Sequence, residues 1–167
     1  MNLHLATSAL LLGTLATAVL DIWILLLKRL NVPSLDMALL GRWIGHLARG
    51  TPTRGPINAA ASVPGERALG WAVHYAIGVV FAAMFVSATG AGWLHRPTLV
   101  PAVLFGVATV AAPLFILQPA LGAGIASSRT RTPLRNVLKS VVNHAVFGGG
   151  LFVAGALVQP IFLRMPA

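Results

Sequence analysis

The sequence has no cysteine and only three acidic residues, Asp21, Asp36 and Glu66. The missing thiols exclude disulfides, thiolate nucleophiles and cysteine-held metals. Carboxylates this sparse give no paired site for general acid–base chemistry. No GxSxG, HExxH or phosphate-loop pattern occurs either, so the sequence leans away from an enzyme. Charge is scarce altogether: Asp, Glu, Lys and Arg make up 9% of the residues, against roughly 25% in a soluble domain.

What is abundant is apolar surface, with 57% of the residues hydrophobic. Such a chain lacks the polar side chains to cover itself in water, so lipid must be the solvent for much of it. Crossing a hydrocarbon core about 30 Å thick takes roughly 20 apolar residues in a helix. Four stretches qualify, at about 3–27, 68–89, 99–121 and 137–162. The polar segments between them are too short and too rich in breakers for a second folded unit. The expected architecture is therefore one all-α membrane domain over 1–167, a polytopic protein of four transmembrane helices plus a short interfacial amphipathic helix. The Ala16-Thr17-Ala18 string resembles a signal-peptide cleavage site, but no Lys or Arg precedes it and the apolar run continues to Leu27, so it reads as part of the first span.

The net charge of +9 would suit nucleic acid, but its distribution argues for a membrane. Lys28, Arg29, Arg42, Arg49, Arg54 and Arg67 lie between the first and second spans, and Arg129, Arg131, Arg135 and Lys139 between the third and fourth. The second connection has only Arg96 and the C-terminal tail only Arg164. This is the positive-inside pattern, which puts the first and third connections in the cytoplasm and both termini outside. Basic residues there also attract anionic headgroups. The expected partners are the lipid bilayer and a second copy or another membrane protein, with no nucleic acid.

Ser34 is placed to cap a helix over about 35–48, with Asp36 in its first turn. Leu39, Leu40, Trp43, Ile44 and Leu47 share one side of it, and its length suits the interface rather than a span. Arg42, Trp43 and His46 form a candidate cytoplasmic-interface group with Glu66, Arg67 and Arg129. The bland reading is a Trp anchor at headgroup level. Gly50, Pro52, Gly55, Pro56 and Pro64 mark an irregular loop. Ala68, Ala72 and Ala76, then Gly78 and Ala82, form small-residue stripes that let helix backbones approach in lipid. Gly148-Gly149-Gly150 offers the same in the fourth span. Pro113 and Pro119, followed by Gly122-Ala123-Gly124, predict a break in the third span between Pro113 and Gly124. A faint repeat pairs Leu15–Asp21 with Val107–Pro113 and His74–Ala76 with Asn143–Ala145, as in a parallel duplication of two spans.

Each span carries a polar group in the half nearer the basic connections. An ionised Asp costs roughly 2.5–3.5 kcal/mol at a helix centre, so Asp21 needs a reason. It lies seven residues before Lys28, and His74 seven after Arg67, each about 10 Å along its helix. Asp21, His74, Gln118, Asn143 and His144 are the candidate intramembrane cluster, and Asp21, His74 and His144 are expected to point into one shared interior. Interhelical hydrogen bonding is the plain reading. A proton- or ion-linked path is the sharper one, because histidine titrates near neutrality and an intramembrane carboxylate can relay protons. Asp21, His74 and His144 are also metal-ligand types, although no spacing pins a metal and no cofactor is otherwise expected. The leading function is a small transporter-like or proton/ion-linked protein. The alternative is a structural or accessory subunit docking through small-residue faces.

Several strings occur together: Asp21-Ile22-Trp23, the run Ala38 to His46, Gly65 to Trp71 with His74-Tyr75, and Gln118-Pro119 leading into Gly122 to Thr130. In this combination the chain resembles, over nearly its whole length, a family of small bacterial membrane proteins known only as domain of unknown function 2938. The resemblance implies four membrane helices and a bacterial inner-membrane location, and brings no activity, substrate or site residue with it.

Reporter fusions test the orientation. A fusion at Ala167 should report periplasmic exposure, and one inserted within 50–64 should report the cytoplasm; the opposite pattern would overturn the assignment.

Overall fold

A computed structural model describes residues 3–52, 55–90 and 92–162, which leaves Arg54, Arg164 and the C-terminal tail of the charge argument outside the described residues. Helix accounts for 78% of the structure, with no strand among the described residues. Four segments are long and apolar enough to span a membrane: Ala6–Arg29, Glu66–Thr89, Leu99–Ala120 and Pro133–Pro160.

Helix α1 (Leu3–Arg29) ends with Lys28 and Arg29 in its last turn, where positive side chains suit the unpaired carbonyls. Asn31 then turns left-handed at φ 57°, while Val32 N–H bonds to Leu27 C=O and Asn31 N–H to Lys28 C=O, a Schellman closure with Asn where Gly is commoner. Helix α2 (Met37–Ala48) begins two residues later than the sequence predicts. Its N-cap is Asp36, whose carboxylate accepts from Ala38 N–H at 2.9 Å, and not Ser34. Asp36 wins because its Oδ1 reaches the N–H two residues on, while the Ser34 hydroxyl is buried without a partner. The following loop is irregular apart from a 3₁₀ turn at Ile57–Ala59. Helix α3 (Glu66–Thr89) follows Gly65, and the short α4 (Gly92–His95) fills the second connection.

The third span is broken, as its prolines predict. Helix α5 (Leu99–Ala108) stops five residues before Pro113. A π-turn follows at Pro113–Leu117, then the single turn α6 (Gln118–Ala120) and a 3₁₀ turn at Ile125–Ser127. Proline has no N–H to close the ladder, so Thr109 C=O accepts instead from Ala112 N–H at 3.1 Å. Helix α7 (Pro133–Phe162) starts four residues before the expected span, with Pro133 in the first position, where its missing N–H costs nothing.

The helices pack in the order α2, α3, α1, α7, α5; α3 and α5 make no comparable contact. Glycine decides where backbones touch. A Cβ on Gly13 would strike Val79 and Gly78, and one on Gly148 would lie 2.5 Å from Ala102 C=O. Gly70 meets Met37 C=O and Gly150 faces Ala16. The alanine stripe read from the sequence does not pack: Ala68, Ala72 and Ala76 are exposed, whereas Gly70, Gly78 and Ala82 are buried. These contacts come closer than a methyl group permits, so glycine rather than alanine lines the working face. Both helix pairs cross on glycine. A Gly13–Gly78 crossing is followed by Thr17, and a Gly106–Gly148 crossing by Thr109.

The best-packed core lies toward the α4 end, around Leu12, Phe85, Trp93, Phe147 and Leu151. Trp93 stands edge-on to Phe85 at 4.7 Å between ring centroids and packs against Gly155. Val80, Leu104, Phe115, Ile116 and Leu157 are each more than half exposed, as befits faces turned to hydrocarbon.

Gly148→Leu should cost about 1–3 kcal/mol by overpacking the α5–α7 crossing. Gly149→Ala, whose Cβ would meet nothing within 4 Å, should stay within about 0.5 kcal/mol. Thermal unfolding of both variants in one detergent checks the contrast; equal loss in the two would refute this account of the crossing.

Candidate functional site

At the α2 end, Asp21 holds a polar group that joins α1 to α3. The stripe Ala9, Gly13, Thr17 and Asp21 repeats every four residues along one side of α1, and its last three members meet α3. Asp21 Oδ1 pairs with His74 Nε2 at 2.9 Å, and Tyr75 O–H donates to Oδ2 at 2.9 Å. Each carboxylate oxygen therefore has one protein donor. Trp71 and Tyr75 flank the imidazole edge-on at 5.8 and 5.7 Å. Two residues farther along α1, Trp23 N–H donates to Asn143 Oδ1 at 3.0 Å and ties α1 to α7.

His144 sits apart from that group. Its Nδ1 lies 2.8 Å from Thr109 Oγ1, and the Thr109 hydroxyl donates to Gly106 C=O at 2.6 Å. A hydroxyl has one hydrogen to give, so Nδ1 is the donor to Thr109 and the neutral ring keeps its lone pair on Nε2. His144, Ser140 and Gly148 occupy one side of α7 and all face the third span. Gln118 bridges the break there: its Nε2 donates to Ser140 Oγ at 3.2 Å and its Oε1 accepts from Ser127 O–H at 3.0 Å. Asn136 and Thr130 extend this network and hold the loop in which Ala126 and Ser127 both have positive φ.

The three residues expected to share one interior thus form two hydrogen-bonded groups. Asp21 binds His74, and His144 binds Thr109. What joins them is a crevice of about 460 Å³ between α3 and the broken third span, lined by both His74 and His144. Its other walls are apolar, with Leu20, Trp43, Phe81, Pro113, Leu117 and Phe147 among them. Among the described residues, no three His, Asp or Glu side chains come together to hold a metal ion.

The basic connection is a scaffold built on one ion pair. Arg42 and Glu66 meet fork to fork, at 2.9 Å from Nε and 2.7 Å from Nη2, and Arg42 also donates to Ala60 C=O. That hydrogen bond to Glu66 raises the pKa of Arg42 further. Glu66 accepts in addition from Val63 N–H at 2.8 Å, and His46 Nε2 lies 2.9 Å from Ala61 C=O, so the loop before α3 is fastened at several points. Arg67 lines a separate open cleft of about 550 Å³ with Lys28 and Trp71. Arg129 makes no ion pair among the described residues; its N–H bonds to Ala123 C=O.

The sequence profile of a family described as protein of unknown function DUF2938 matches residues 10–158. The chain belongs to the DUF2938 family. The match takes in both histidine groups, the crevice and the Arg42–Glu66 clamp. No curated protein and no solved structure matches this DUF2938 chain.

Sequence reading missed Tyr75, Thr109 and Trp23 as partners. Thr17 and Thr109 align in the faint repeat, and that signal would have pointed to Thr109. Thr109→Val should remove the acceptor of His144 and cost about 0.6–1.7 kcal/mol, the range of interhelical hydrogen bonds in membranes. Thr109→Ser should restore most of it in the same thermal measurement. Loss in Thr109→Ser with none in Thr109→Val would mean the methyl contact, not the hydrogen bond, matters.

Proposed function

We propose that this is a small proton-linked carrier of the bacterial inner membrane, with both termini outside the cytoplasm and α2 lying in the cytoplasmic interface. One observation carries the reading. A carboxylate inside a membrane span, Asp21, is bonded to a histidine that lines a crevice between two helices whose backbones stay apart and which touch through Phe85 and Phe105. A purely structural Asp–His bridge has no need of such a gap. Moving a proton from Asp21 to His74 or back would require only small displacements, because donor and acceptor are already 2.9 Å apart. Phe81 and Phe147 of its lining belong to the packed cluster that extends toward the α4 end.

An accessory, partner-docking role is the second reading. The outward Ala68, Ala72 and Ala76 stripe on α3 supports it. Five of the glycines that would serve a docking face, Gly13, Gly78, Gly106, Gly148 and Gly150, are occupied within the chain.

The test uses proteoliposomes that enclose a pH-sensitive dye, with the membrane potential clamped by potassium and valinomycin. An imposed pH step should relax faster than in protein-free vesicles, and Asp21→Asn should abolish the difference while leaving insertion intact. Equal relaxation in wild type and Asp21→Asn would overturn the proton-linked reading.

A further inference from the structure

We propose that the crevice between α3 and the third span binds one long-chain monocarboxylic acid, taken in its protonated form from the surrounding bilayer. This names a ligand class for the carrier, and it rests on the carrier reading only for the link between the acid's proton and the Asp21–His74 pair.

The mouth decides where a ligand comes from. Ile77, Val80 and Ile116 line it and are 39%, 56% and 62% exposed. They belong to two membrane spans, so the exposed surface they present meets hydrocarbon, not water. A ligand that enters there diffuses in the bilayer and has an apolar body. Size narrows the class. The crevice of about 460 Å³ falls in the range of roughly 300–1,000 Å³ typical of small-molecule sites, and it suits one chain with a small head better than a two-chain lipid. Trp43 on α2 and Phe147 on α7 lie among its walls.

The few polar atoms on its walls select the head. Nε2 of His144 is left with a lone pair, because Nδ1–H is committed to Thr109. His74 gives Nε2–H to the carboxylate of Asp21, so its Nδ1 also keeps a lone pair. Thr17, which lines the crevice, is 1% exposed, and its hydroxyl has no hydrogen-bond partner. The walls thus offer two imidazole acceptors, while the Thr17 hydroxyl is turned against Gly78. An un-ionised carboxyl group answers them, since its O–H donates to an imidazole, whereas a carboxylate or an ester has no hydrogen to give. A phosphate head would need more donors than the crevice has. A quaternary ammonium head could not donate, no carboxylate among the described residues lines the crevice, and the nearby Asp21 is already held by His74 and Tyr75.

Protein in nanodiscs of unlabelled lipid is titrated with dibrominated stearic acid, whose bromines quench nearby indoles. Trp43 contributes the difference between wild type and Trp43→Phe. The acid should quench Trp43 saturably, and its methyl ester, which has no donor, should quench it far less. Ala112→Phe puts a ring into the crevice and should remove the Trp43 signal; Ala76→Phe, at an exposed position on α3, makes the same test should the first variant not fold. Quenching that does not saturate, that is equal for the ester, or that survives both rings overturns the proposal. So does equal quenching by brominated phosphatidylcholine in the disc, which would mark a groove for bulk lipid. Saturable quenching without protein-dependent proton relaxation would remove the carrier reading and keep the acid site. Proton relaxation without Trp43 quenching would do the reverse.

Discussion

Inside hydrocarbon a polar group has no water to fall back on, and the arrangement of this bundle follows from that constraint. With the exception of Thr17, the polar side chains deep in the spans are answered from another helix: Asp21 by His74 and Tyr75, Asn143 by Trp23, His144 by Thr109, Gln118 by Ser127 and Ser140. These bonds need backbones close enough for short side chains to reach across. Lipid supplies no hydrophobic drive between helices, so closeness comes from packing at Gly13, Gly78, Gly106 and Gly148. The glycine crossings and the polar pairs are two parts of one solution. Gly106 and Gly148 sit about one turn from the Thr109–His144 bond, and Gly78 one turn from His74.

The break in the third span belongs to the same logic. Pro113 and Pro119 remove two ladder donors, and the chain meets the loss with a π-turn and a set of left-handed residues, Gly122, Gly124, Ala126 and Ser127. Non-glycine residues with positive φ are uncommon, and the Gln118–Ser127–Ser140 network is what holds two of them in sequence. The segment is rigid by hydrogen bonding, not by helical regularity. Its irregular backbone forms one wall of the crevice through Pro113, Ile116 and Leu117.

Much of the fold was legible because it follows from length, hydropathy and proline chemistry. The four spans, the short α2 and the broken third span all announce themselves in one dimension. Asp21 and His74 could be singled out because charge in lipid is costly wherever it stands. The partners were not legible, since Thr109 and Tyr75 look ordinary until another helix is beside them. The alanine stripe misled for a related reason: spacing identifies small residues on one face, but only a neighbouring backbone decides whether that face must be glycine. Ser34 failed as a cap by two residues, a margin set by local dihedral angles and not by composition.

The two halves of the bundle also meet at the α2 end, away from the long α1–α7 seam. Ile57 N–H bonds to Leu121 C=O at 3.1 Å, and Gly122 lies against the ring and backbone of Pro56. Lys139 Nζ reaches Pro33 C=O at 2.6 Å across the same end. The molecule is therefore built like a clasp, with a spine along α1 and α7 and a small latch joining the two basic connections. Widening the gap between α3 and the third span would strain the latch long before it disturbed the spine. The latch bonds through main-chain atoms and a single ammonium, but the Ile57 side chain beside them is 2% exposed, so trimming that one residue would loosen the clasp without touching a single one of its hydrogen bonds.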